Sequence, residues 1–282
     1  MKAIIKHHFD AWGYQAFKYL IYLLLAYNLV LFYQEESLAS EVTFAAGFSL
    51  ANIVEAFSAT VDTAAWVLLL LLFELETYTI EDEQITGWTK RAMHGFRVFC
   101  YFFIVYALYG YIVKLGLTFN FSTSDITDLC SINGDWKYME TLNEYVQISK
   151  QNCADYALTN GHFLTHGKFN VISNADDLFM TQALAWVDVI NATAWLVVVM
   201  MLEYDVRVQL GQYSSLFWEK YSRVMKGSVY LVLFVASVYW GFEGNFVDFW
   251  DSFLWLVAFF LIELNIFEWQ ADIAEEKQLS VS

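Results

Sequence analysis

The chain of 282 residues contains no proline, only three cysteines, five histidines and half as many basic residues (15) as acidic ones (31). Each shortage excludes something. Carriers that unwind helices at mid-membrane rely on Pro- and Gly-interrupted segments, so a chain with no Pro and 13 Gly is expected to keep its helices whole. Three cysteines cannot frame a disulfide-rich scaffold. A formal net charge of −16 leaves no basic patch for nucleic acid, which is not expected as a partner. The histidines (7, 8, 94, 162 and 166) all fall outside the middle of the apolar runs, which excludes a bis-histidine haem inside a bundle. The chain also lacks a Walker loop, a dinucleotide fingerprint, a zinc-protease pair and a nucleophile elbow, so neither enzymatic activity nor a cofactor is expected.

Apolar residues are abundant instead, at 58% of the chain, and they come in blocks. Six runs stand out: Phe17–Tyr33, Ala56–Phe73, Phe96–Val113, Leu184–Leu202, Ser228–Phe242 and Phe249–Phe267. Each is near the length a helix needs to cross a hydrocarbon core about 30 Å thick. Only helices suit this pattern, because lipid-exposed backbone must satisfy its own hydrogen bonds and no barrel-like alternation is present. The expected fold is an all-α integral membrane protein with six transmembrane helices. Of the 15 basic residues, 11 fall at the termini or between even and odd runs, and none lies in the connections 34–55 and 243–248. That bias predicts a plasma (inner) membrane protein with both termini cytoplasmic.

A pattern written three times organises these runs. A basic residue is followed four positions later by Tyr. A second run then carries Asp or Asn, a Trp four residues on, and a Glu eight residues after that. The copies are Lys18, Tyr22, Asp62, Trp66, Glu74; Arg97, Tyr101, Asn191, Trp195, Glu203; and Lys226, Tyr230, Asp251, Trp255, Glu263. Two residues past each Glu stands Glu76, Asp205 or Asn265. Such self-similarity predicts three pseudo-equivalent helical hairpins: 1–76, 77–205 and 206–282, the last including a cytoplasmic tail.

The second hairpin carries an insertion, 116–183, too long to be a simple turn and expected to form a small outer subdomain. It holds Cys130 and Cys153, whose placement on the outer side predicts a disulfide, leaving Cys100 free within a helix. His162 and His166 stand four apart there, but Gly161 and Gly167 flank them, which favours a loop over a helical metal pair. No metal is assigned from the sequence.

Because odd helices begin and even helices end on the same side, Lys18, Arg97 and Lys226 should share a depth with Glu74, Glu203 and Glu263. An unpaired ionisable group in the membrane costs about 2.5–3.5 kcal/mol, so these six are expected to form a structural ion-pair layer. Helical geometry turns each repeated Glu away from a second polar face carrying Asp62 with Glu76, Asn191 with Asp205, and Asp251 with Asn265. Asp62, Asn191 and Asp251 lie about 18 Å along their helices from the Glu layer, well inside the bilayer. They are the candidates for a cation site or pathway, with Glu76, Asp205 and Asn265 on the same face. Asp188, Asp248, Thr63, Thr193 and Ser252 are near enough in sequence to add ligands.

Three two-helix repeats are also the outline of the mitochondrial carriers, but their signature needs a Pro at each odd-helix kink, and this chain has none. The expected function is therefore passage or binding of a small cation, proton or metal ion, by acidic intramembrane residues. The alternative is a non-transporting accessory or assembly subunit of a larger membrane complex. Expected partners are the lipid bilayer, a small cation, and either other membrane subunits or further copies of the chain.

Overall fold

A computed structural model describes residues 2–43, 53–75, 87–132, 134–156, 162–209, 216–244 and 246–260. The protein is mostly helical. Helix α1 spans Lys2–Thr43, a short α2 spans Ile53–Ala56, α3 spans Ser58–Glu74 and α4 spans Trp88–Thr118. Five short strands follow: β1 (Phe121–Thr123), β2 (Lys137–Met139), β3 (Tyr145–Gln147), β4 (Leu164–His166) and β5 (Val171–Ser173). The chain then returns through α5 (Ala175–Gln209), α6 (Leu216–Glu243) and a last helix, α7, over 246–260.

Four helical stretches are long and apolar enough to cross a membrane: Gly13–Thr43, Arg91–Thr118, Ala175–Tyr204 and Lys220–Glu243. Helix α3, with 17 residues, is about 26 Å long, slightly less than a ~30 Å hydrocarbon core. All of these helices contribute to one core, which includes Leu25 of α1, Trp66 and Leu70 of α3, Cys100 and Ile104 of α4, Trp195 and Val198 of α5, Leu233 of α6 and Trp255 of α7. The outward faces are equally apolar, with Leu23, Phe102, Leu231 and Phe242 all exposed. Water does not favour apolar surface of that extent on a monomer, whereas lipid does.

Packing requires glycine at one helix crossing. A Cβ on Gly110 of α4 would stand 2.8 Å from the Val54 carbonyl oxygen and 2.9 Å from Ser58 Cβ, where α2 meets α3. The same junction explains how α3 starts. Phe57 offers no side-chain cap. Glu36 of α1 supplies one instead, accepting the N–H groups of Ala59 at 3.0 Å and Thr60 at 2.9 Å. A carboxylate there satisfies orphan donors and complements the positive end of the helix dipole.

The insertion departs from the all-α expectation. Its strands form one sheet in the order β1-β4-β5-β2-β3, antiparallel except for the parallel pairing of β2 with β5. Polar, turn-rich sequence between two long helices hid strands only three residues long, too short to show a period of two. The sheet buries Tyr138, Phe163 and Ile172 with Leu129 and Cys153. Cys153 lies at disulfide distance from Cys130, with Cα atoms 5.2 Å apart, while Cys100 is buried and free. The insertion is also shorter than expected at both ends, because α4 runs on to Thr118 and α5 begins at Ala175. Asn174 caps α5, its Oδ1 accepting the Asp177 N–H at 2.7 Å.

Candidate cation site

The charged layer is best seen in its first copy. Lys18 is fully buried, and its Nζ donates to Glu74 Oε1 at 2.6 Å. Tyr22 and Tyr19 donate hydroxyls to the same carboxylate at 3.3 and 3.4 Å. In the second copy Tyr101 donates to Glu203 at 3.4 Å, and Arg97 lies close enough to act on that hydroxyl. The equivalent tyrosine therefore reaches the equivalent glutamate in both. Lys226 and Tyr230 lie on α6, half-buried. Glu263, Glu76 and Asn265 lie outside the described residues, as does the Asp205 side chain.

The polar set toward the insertion side converges. Asp62 of α3, Asn191 of α5 and Asp251 of α7 line a single cavity of about 80 Å³, together with Asp188, Asp248 and Glu35. Trp66, Trp195 and Trp255, each four residues beyond its polar partner, line it too. Their rings meet: Trp66 lies 6.1 Å from Trp195 and 6.2 Å from Trp255, while Phe259 lies 4.5 Å from Trp195. A helix advances 100° per residue, so i and i+4 share a face. The i, i+4 spacing thus puts one polar group and one indole from each of three helices on the same axis. The aromatic cluster fills the bundle below the carboxylates.

Neutral groups hold the two charged members of the set. Asn28 of α1, fully buried, donates its amide to Asp251 Oδ1 at 2.8 Å. Tyr111 of α4 donates to Asp62 Oδ2 at 3.4 Å, and the Trp66 indole lies within reach of the same carboxylate. Asp62 and Asp251 make no ion pair among the described residues. The Trp240 indole N–H lies within reach of Asp188, while the Asn191 amide oxygen in the cavity wall lacks a partner. One water needs about 10–15 Å³, so 80 Å³ holds several molecules, and the open Asn191 oxygen would bind one of them.

The insertion covers this cavity. Thr141, Leu142 and Asn143, in the turn between β2 and β3, form part of its wall, and Asn143 donates its amide to Glu35 Oε1 at 2.8 Å. Lys114 contributes the wall's single basic side chain, and its Nζ is bonded to Glu36 Oε1 at 2.5 Å. The connection expected over 34–55 holds Glu35 and Glu36, and Lys114 stands between the third apolar run and the insertion. Instead α1 continues as helix to Thr43 because neither Pro nor Gly interrupts it after Gly13. Asn28, Glu35, Lys114 and Tyr111 were missed as site residues; the adjacent acids at the end of the first run were the available signal. Thr193 turns its hydroxyl back to the Val189 carbonyl at 2.7 Å and does not line the cavity, whereas Thr63 and Ser252 do.

The histidine pair comes to nothing as a metal site. His162 is exposed, and His166 is buried in β4 with its Nδ1 accepting the Lys168 and Phe169 N–H groups at 3.1 and 3.3 Å. Among the described residues, no group of three or more His, Cys, Asp or Glu is placed to hold a metal ion. No protein-family model matches the chain, and neither a curated protein nor a solved structure matches it.

Proposed function

We propose that the protein is a six-span membrane protein of three equivalent hairpins that binds a small cation at the acidic cavity and passes it across, or senses it from, the side bearing the insertion. The observation that carries this reading is the meeting of Asp62, Asn191 and Asp251, from three separate helices, on one polar cavity. Residues that serve only to bind helices together can do so pairwise on separate faces. A wall with five acidic side chains and one basic one attracts cations and repels anions. Matching tyrosine–glutamate contacts at Glu74 and Glu203, and the meeting of three equivalent tryptophans, support the repeat. In this arrangement both termini face the cytoplasm of a plasma (inner) membrane and the insertion lies outside. The aromatic cluster under the carboxylates argues for a gated or binding function and against a permanently open pore.

The test is reconstitution. Purified protein in liposomes should show cation-dependent flux, or cation-dependent thermal stabilisation, that disappears in the double variant Asp62→Asn, Asp251→Asn. That variant should still fold, since Asn already occupies the equivalent position 191. Full activity in the folded double variant would sink the proposal and leave the assembly-subunit role.

A further inference from the structure

The reading of the cavity as a cation site leaves the cation unnamed, and the cavity's own geometry narrows it. Asp251 acts electrostatically on Asp62, and both Asp188 and Asp251 act on Asp248, so the four aspartates of the wall form two linked pairs. A hard divalent ion needs several oxygen ligands converging at about 2.0–2.6 Å. No group of three or more acidic, His or Cys side chains among the described residues converges in that way.

The surroundings supply little positive charge. Glu35 and Glu36 face the pairs from α1, with Asn28 neutral beside them; Tyr111 and Lys114 face them from α4, and Lys114 is engaged by Glu36. Two neighbouring carboxylates in a poorly solvated place cannot both remain ionised at low cost, and a shared proton is the smallest charge that relieves them. Trp240, only 6% exposed, turns its N–H toward Asp188, and Asn191 presents a buried amide oxygen without a partner to this space. A buried acceptor left open in a cavity with room for several molecules calls for water, which is also the medium a proton moves through.

We infer that the cation of this cavity is the proton, held on the carboxylate pairs Asp62–Asp251 and Asp188–Asp248 and exchanged through water bound at Asn191. This rests on the proposed function and deepens it. The singly protonated form of each pair carries one O–H, donated to its ionised neighbour or to water, and one negative charge; deprotonation passes that proton to the water and leaves both carboxylates of the pair ionised.

Infrared difference spectroscopy on the full-length protein in liposomes, with N-methylglucamine as the bulk cation, tests it directly. A carbonyl band of protonated carboxyl groups should be present at neutral pH, shift in heavy water and vanish on alkaline titration. Asp251→Asn and Asp188→Asn should each remove part of it, and Asp125→Asn, on the exposed surface of the insertion, should leave it intact. Adding sodium, potassium or calcium at constant pH should not move the band. Absence of the band at every pH at which the wild-type protein is folded overturns the inference, and needs no variant to observe. Displacement of the band by a metal ion at constant pH overturns it too, while leaving the cavity a cation site. The proposed function itself falls only if neither protons nor these ions distinguish the wild type from the Asp62→Asn, Asp251→Asn double variant.

Discussion

The two ends of the bundle use buried carboxylates differently. At the end away from the insertion, Glu74 meets a fully buried ammonium and two tyrosine hydroxyls. Toward the insertion, Asp62 and Asp251 meet a hydroxyl, an amide, two indoles and each other, but no cation among the described residues. The same functional group is fully compensated in one place and left with negative charge to spare in the other. A compensated carboxylate is a structural element, because its pairing is complete and nothing further is needed. An undercompensated one, beside space for water, is set up to exchange a small cation. Glu36 shows that proximity alone does not decide the role. It stands one residue from Glu35 of the cavity wall, yet it is satisfied by Lys114, two backbone N–H groups and the Thr60 hydroxyl at 2.8 Å.

The sharpest way to break the contrast is to remove charge at each end. Glu74→Gln strands the Lys18 ammonium at a site with no solvent exposure, and losing one partner of such a pair costs about 3–5 kcal/mol. Detergent thermal unfolding should show this as a large drop, partly restored by a second substitution, Lys18→Met. Asp62→Asn should stay within about 1 kcal/mol of the parent, since Asn keeps the hydrogen-bonding shape and removes a buried charge. Equal losses at the two positions would abolish the distinction between the ends.

The cover over the cavity is expected to respond next. Opening the Cys130–Cys153 link by Cys153→Ser frees a loop of 23 residues, worth about 3 kcal/mol on the chain-entropy argument. The loss should appear in the insertion and spare the bundle, so proteolysis should cut the insertion while the helices stay protected. Cutting in both regions at once would mean that sheet and bundle fold as a single unit. A smaller effect is expected from Asn143→Ala, which removes the amide bonded to Glu35 at a cost of about 1 kcal/mol. Its informative readout is faster exchange at the cavity, measured as carboxyl modification of Glu35 by a water-soluble carbodiimide.

Much of this contrast could be read in the sequence, and the reason is periodicity. Asp62–Trp66, Asn191–Trp195 and Asp251–Trp255 repeat at i, i+4, so helical geometry alone puts each pair on one face and makes their meeting on an axis a reasonable expectation. The Lys18–Glu74 pair followed from matching depth. Where side chains come from beyond a hydrophobic run the pattern gives no help. Asn28 and Tyr111 are single polar groups within apolar stretches, and Glu35 and Lys114 gain their roles from helices that extend past the apolar runs. The sheet was invisible for a different reason: strands of three residues depend on partners far along the chain, such as β1 with β4, and local pattern carries no record of that pairing.

His166 gives the smallest and most specific test, because it couples the cover to pH without touching the cavity carboxylates. Its Nδ1 accepts two backbone N–H groups, so the folded sheet holds the neutral imidazole, and burial lowers its pKa below the ordinary 6.5. The unfolded chain then binds a proton more readily than the folded one. Stability from this residue is fully present above pH 6.5, declines as the pH falls through that value, and stops declining once the folded imidazole is itself protonated. Thermal melts of the insertion, followed by near-ultraviolet circular dichroism, should therefore move to lower temperature on mild acidification, and the decline should flatten in His166→Gln. The bundle's helical signal should not share that titration. If bundle and insertion shift together, and the variant abolishes both shifts, the cover is not an independent layer and the two ends of the molecule are coupled through it.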